Sequence, residues 1–193
     1  CGQNHTVELY PGLDFLLGKA GCDLREVDCI FVAKGPGSFN GLRVGVSAAK
    51  GLAFSLGIPI IGIGTLETTA YQHSTAGLPV CALQNAGREE IALAVYQRKP
   101  HKGWCQLVPE HITTFDSLVQ EIKEKTVFCG EFTPEMTKRI KKYLRSRAVL
   151  PPPSAQWRRA AYLAELGQQR REAGKFDNPA TLQPVYLRRP PIT

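Results

Sequence analysis

Several kinds of chemistry lack their residues in this chain of 193 amino acids. No apolar run approaches the roughly 18 residues needed to cross a bilayer as a helix, and the start at Cys1 carries no basic-then-apolar signal pattern. Membrane insertion and secretion therefore find no support, and the cytoplasm is the expected compartment. The six cysteines (Cys1, Cys22, Cys29, Cys81, Cys105, Cys129) contain no CxxC pair, and Cys29 and Cys81 lie in strand-like apolar runs, so they read as reduced thiols. The four histidines, His5, His73, His101 and His111, show neither HExxH nor HxxxH spacing, so metallopeptidase chemistry lacks its ligands and no metal is expected; each reads as a surface or capping residue. There is no GxSxG elbow, and Ser38, Ser47 and Ser55 have no identifiable His and Asp partners. The pair Glu89-Glu90 falls in a turn, where solvated charge is the ordinary outcome. No catalytic residue is assigned.

Acidic residues are also missing between Asp28 and Glu67, and that is where the glycines concentrate. Residues Lys34 to Ala53 read KGPGSFNGLRVGVSAAKGLA, five glycines and a proline where an apolar strand turns into an apolar helix. The run Cys29 to Ala33 reads as a buried strand that Gly35-Pro36-Gly37 breaks, and Ser38 reads as the N-cap of the helix. Phe39, Leu42, Val46, Ala49, Ala53 and Leu56 then recur at helical steps and form a core face. Gly41, Gly45, Ala48 and Leu52 form a second stripe beside it. Interior glycines at 41, 45 and 51 together cost a helix about 3 kcal/mol against alanine, which another helix or a ligand lying almost on the backbone would offset. A dinucleotide is a poor candidate, because the acidic residue expected about 20 positions further on is missing. The phosphate-loop order is missing as well, since Lys50-Gly51 reverses it inside the helix. No cofactor is expected from this loop.

The block Gly35-Pro-Gly-Ser-Phe-Asn-Gly-Leu-Arg-Val-Gly45, with Ala49-Lys-Gly-Leu-Ala53 and Gly57-Ile-Pro59, resembles the signature of the TsaB (YeaZ) family. Three stretches agree with it: His5 to Ala20 is similar to the family's first long helix, Asn85 to Glu90 to its turn between two strands, and Pro184-Val-Tyr-Leu-Arg188 to its closing motif. The resemblance implies an actin- and sugar-kinase-like (ASKHA) α/β fold of two small subdomains. It also implies a non-catalytic partner of the catalytic subunit TsaD, which with the ATPase TsaE installs threonylcarbamoyl on the adenosine beside the anticodon of certain tRNAs. Two departures stand out. Asn40 replaces the family's Thr, and the opening strand with its Ile-Asp-Thr-Ser/Thr turn does not precede Cys1, so the first subdomain is expected to be truncated at its N-terminus.

A net charge of +7 invites a nucleic-acid reading. Its clusters lie at residues 138–147, at Arg158-Arg159, at Arg170-Arg171 and at Arg188-Arg189, without aromatic interleaving, which favours solvated helix faces over auxiliary contact with tRNA.

Periodicity predicts a helix from Thr6 to Ala20 with Leu9, Leu13, Leu16, Leu17 and Ala20 as its apolar stripe. A strand at 28–33, a helix at 38–56, a strand at 58–63 and a short helix at 66–73 come next. Strands at 79–83 and 91–97 form a hairpin. Beyond it come a strand at 105–108, a helix at 115–123, a strand at 126–129, a helix at 134–144, a strand at 148–150 and an Ala-rich helix at 154–174. The expected organisation is an N-terminal subdomain over 1–76, a second over 77–153, and a C-terminal helix and tail over 154–193 that packs back on the first. Joined to the resemblance, the small-residue stripe predicts that Leu9, Leu13 and Leu16 with Gly41, Gly45, Ala48 and Leu52 form one apolar surface for TsaD, or for a second copy of this chain when TsaD is absent. A nucleotide-dependent oxidoreductase explains only the glycines, and a glycoprotease-like hydrolase would need ligands the chain does not supply.

Overall fold

A computed structural model of the chain describes residues 5–188. The side chain of His5 and all of Cys1 and Arg189 lie outside the described residues. By contacts the chain divides into two units, residues 1–63 with 163–184 and residues 64–162 with 185–193.

The first unit is built on a glycine-rich crossover. Strand β1 (Ile30–Gly35) and strand β2 (Ile60–Gly64) pair in a two-stranded sheet, joined by helix α2 (Phe39–Leu56). Ser38 caps α2, its Oγ accepting from the Gly41 N–H at 3.4 Å, and Gly57 ends it in the left-handed conformation with φ 67°. Of the face foreseen from spacing, Leu42, Val46, Ala49 and Ala53 are buried, the last three closing on Ile60 and Leu182, whereas Phe39 is exposed and Leu56 half-buried. Helix α1 (His5–Ala20) runs through Pro11 without ending there.

Residues 163–184 complete this unit. Helix α6 (Ala160–Glu172) lays Gly167 against the Phe31 ring. Arg170 donates to the Gly62 carbonyl at 2.8 Å, and the Gly62 N–H donates to Asp177 at 2.8 Å, so both polar backbone groups of that residue are satisfied from the C-terminal segment. Lys50 holds the same segment through the carbonyls of Ala180 and Leu182.

The second unit is a five-stranded mixed sheet in the order β5-β4-β3-β6-β7, where β3 is Val80–Gly87, β4 Glu90–Lys99, β5 Gly103–Thr114, β6 Thr126–Gly130 and β7 Ala148–Val149. β3, β4 and β5 pair antiparallel, while β6 pairs parallel with both β3 and β7. Alternate residues serve two cores. Cys81, Leu83, Ile91, Leu93, Val95 and Phe128 meet helices α4 (Phe115–Glu121) and α5 (Pro134–Leu144) on one face. Val80, Ala82, Ala92, Ala94, Tyr96, Val127 and Cys129 meet helix α3 (Thr65–Tyr71) on the other. Cover on both faces is why these strands read as unbroken apolar runs. Helix α3, grouped by sequence with the first subdomain, packs within this sheet's unit.

Two elements depart most from their expected extents. β5 has 12 residues, not four, because Pro109 is carried at a register shift opposite Leu93 and Val95 on an edge strand, where a missing N–H is tolerated. The helix expected from 154 begins only at Ala160, since Pro153–Ala155 form a tight 3-10 turn first.

A candidate docking face on the glycine-rich helix

Within the first unit, α1 and α2 face one another across a groove of about 400 Å3. Leu9, Leu13 and Leu16 line it from α1, and Gly41, Val44 and Gly45 from α2, so five of the seven residues assigned to the docking surface meet there. Ala48 lines the adjoining depression, of about 410 Å3, with Leu9, Tyr10 and Arg43. Leu52, half-buried, lines neither.

The two helices approach less closely than the glycines suggest. A Cβ placed on Gly45 or on Gly51 meets no described atom within 4 Å, so α1 does not lie on the α2 backbone at these two positions. On α1, Leu16, which lines the groove, is 64% exposed, and Val7 and Phe15 are 72% and 63% exposed.

The basic clusters fare differently from one another. Arg171 forms a two-pronged pair with Asp28 at 2.7 and 3.0 Å, Arg170 is bound to Gly62, and Arg158 meets Glu131 at 2.6 Å. Arg188 pairs with Glu90 and donates to the Ala86 carbonyl, which brings the closing Pro184–Arg188 motif onto the Asn85–Glu90 turn and takes Glu90 out of the solvated role expected of it. In that turn Arg88 and Glu89 both have positive φ, at 54° and 63°, as a two-residue hairpin loop requires. Among the described residues the cluster at 138–147 stays largely outside such bonds, and it does contain an aromatic, Tyr143, 52% exposed with Lys142 Nζ 5.4 Å from its ring centre.

The second unit has a concavity of about 400 Å3 that sequence reasoning did not single out, lined in part by Thr65, Leu66, Gln84, Gly130, Trp157 and Arg158. Gln84 Oε1 is buried there without a partner among the described residues. Its lining comes from four separate stretches of chain, which no local motif announces. Burial, the dominant influence, pushes the Cys81 and Cys129 thiols up and holds His73 below its ordinary value of 6.5. Among the described residues no three His, Cys, Asp or Glu side chains converge as a metal site, and no helix is long and apolar enough to cross a membrane.

Known proteins match the chain to different extents. The family model described as tRNA N6-adenosine threonylcarbamoyltransferase (TsaD) matches residues 1–165. The tRNA threonylcarbamoyladenosine biosynthesis protein TsaB of Bacillus subtilis is 31% identical over 190 residues, covering 96% of this chain and 80% of the relative. A tRNA N6-adenosine threonylcarbamoyltransferase of Ralstonia pickettii is 42% identical, but over 67 residues, 35% of this chain and 19% of that protein. A Pseudomonas aeruginosa crystal structure, described as an uncharacterized protein with similarity to peptidase YeaZ, superposes with TM-score 0.78 at 23% identity over 96% of this chain and 85% of its own. The fold is that of the YeaZ structures, actin- and sugar-kinase-like.

Proposed function

The chain belongs to the TsaB (YeaZ) family, and we propose that it is the non-catalytic subunit that docks on TsaD while threonylcarbamoyladenosine is formed on tRNA. The observation that carries this reading is the open backbone at Gly45 beside the exposed apolar side chains of α1. Helix α2 accepts the propensity penalty of its glycines, about 1 kcal/mol each, with no described neighbour over Gly45 or Gly51. A helix of another protein laid along the stripe would offset it by close packing. TsaD is the occupant, with a second copy of this chain taking its place when TsaD is absent, and TsaE and tRNA join through the complex.

The Bacillus TsaB matches nearly all of this chain and the Ralstonia transferase about a third of it, while the transferase family model spans residues 1–165. The subunit contributes no group to the chemistry in this reading. Docking favours one arrangement of the TsaD helices beside its nucleotide cleft, and the effect on transfer is bounded by differential affinity for the two arrangements.

A reconstituted reaction with TsaD, TsaE, tRNA, ATP and threonylcarbamoyl-adenylate tests it. The chain alone is inactive and raises transfer when TsaD is present, Gly45→Leu loses that effect, and Ser38→Ala and Glu89→Ala retain it. Equal loss in either of the latter, with folding and docking intact, would mean that this chain supplies a catalytic group.

A further inference from the structure

Helix α5 carries three lysines on one stripe, and Arg145 follows at its C-cap. Lys138, Lys141 and Lys142 stand at i, i+3 and i+4, turned away from the face that packs Met136, Ile140 and Leu144 into the core, and Arg145 comes just past the last turn with φ 48°. All four are exposed, and none forms a salt bridge among the described residues. Neighbours of like charge at these spacings repel one another, so the stripe weakens the helix that bears it. Partial relief comes from the negative helix C-terminus, which favours the last cations but not Lys138, a turn and a half earlier.

Other clustered arginines differ. Arg158, Arg170, Arg171 and Arg188 are held by Glu131, the Gly62 carbonyl, Asp28 and Glu90, Arg139 on α5 reaches Asp116, and Arg147, in the turn after α5, donates to the Ile122 carbonyl at 2.6 Å. Tyr143 stands exposed at the edge of the stripe, its ring set edge-on against Phe115 with centres 5.9 Å apart. A uniform cationic face about 10 Å long, left unneutralised by its own fold and edged by a fixed aromatic ring, suits a chain of regularly spaced phosphates.

We propose that the α5 stripe is a direct contact for the phosphate backbone of RNA, and that the RNA is the tRNA substrate of the complex. The choice of RNA rests on the functional reading above; the choice of α5 rests on which cations the fold leaves unpaired. Contacts of this kind carry little sequence information and position the tRNA rather than select it.

The test titrates an unmodified tRNA transcript against the TsaD complex of this chain at several salt concentrations. The comparison is with a variant in which Lys138, Lys141, Lys142 and Arg145 are all replaced by Gln. If the four cations each neutralise a phosphate, the slope of log affinity against log salt becomes shallower by about 3, and affinity falls at least about tenfold at 100 mM salt. Two further variants separate causes. Replacing the three lysines by Arg retains binding, and a charge-matched variant with Gln at Arg25, Lys99, Lys102 and Lys175 retains the slope. An unchanged slope in the stripe variant, with co-elution with TsaD preserved, overturns the proposal, and so does equal loss in the charge-matched variant. Binding of phosphatidylserine vesicles through the stripe with no effect on tRNA overturns it as well. Failure of the unaltered chain to co-elute with TsaD instead defeats the docking reading, and the same titration on the chain alone then decides α5.

Discussion

The Phe31 ring lies against the bare backbone of Gly167, so that two residues more than 130 positions apart in sequence bring β1 and α6 together where neither could accept another atom. A Cβ at position 167 would collide with the ring. Gly167→Ala should therefore lose about 1–3 kcal/mol of stability by overpacking, despite the better helix propensity of alanine. Thermal unfolding followed by circular dichroism reads this directly, and a variant as stable as the parent would mean that the helix and strand can separate freely.

That contact also marks where sequence reading succeeds and where it stops. Helical and strand periodicity placed nearly every element, because Leu42, Val46, Ala49 and Ala53, or Val80 to Leu83 and Ile91 to Tyr96, repeat over distances that local geometry governs. The small-residue stripe on α2 was legible for the same reason. Its meaning was not: Gly45 and Gly51, expected to be closely covered, are open, while Gly167, one of the glycines that are closely covered, sits unnoticed in the Ala-rich α6. Close approach is a property of two segments, and one segment's composition does not reveal its neighbour. The basic clusters make the same point, since Arg171 and Lys141 look alike in sequence and only the fold supplies Asp28 to one of them.

His73 makes the second unit sensitive to acid. It is half-buried with its Nε2 unpartnered among the described residues, and burial, outweighing a hydrogen bond at Ala155 that acts the other way, holds its pKa below 6.5. The unfolded chain thus binds the proton more readily. Between the folded and unfolded pKa values unfolding takes up a proton, so stability is full above about pH 6.5 and falls as the pH drops below it. His73→Asn should flatten that part of the curve. Melting temperatures from pH 8 to pH 5 for both proteins check it; parallel curves would show that this histidine does not titrate differently on folding.

Arg145 stands just past the last turn of α5 with φ 48°, where glycine is favoured and a side chain is strained. Arg145→Gly is expected to stabilise the isolated chain by up to about 1 kcal/mol, seen as a rise of roughly 2–4 °C in melting temperature. The same change should weaken tRNA binding by the TsaD complex. A lower melting temperature would indicate that the arginine is kept for stability.

Gly51 provides the control for the docking face. It lies off the stripe of Gly41, Gly45, Ala48 and Leu52, and a Cβ there meets no described atom within 4 Å. Gly51→Ala should raise stability by about 1 kcal/mol and leave TsaD binding unchanged. Loss of binding in this variant would place the partner on a different face of α2.

The decisive measurement pairs stability with affinity at Gly45. Because no described atom lies within 4 Å of a Cβ at that position, Gly45→Ala should make the isolated chain more stable by about 1 kcal/mol, raising the melting temperature by roughly 2–4 °C. If TsaD lies on that backbone, the same variant binds TsaD more weakly in calorimetric titration, and Gly45→Leu loses binding while remaining folded. A Gly45→Leu chain that binds TsaD with the parent's affinity would contradict the account and move the interface away from α2.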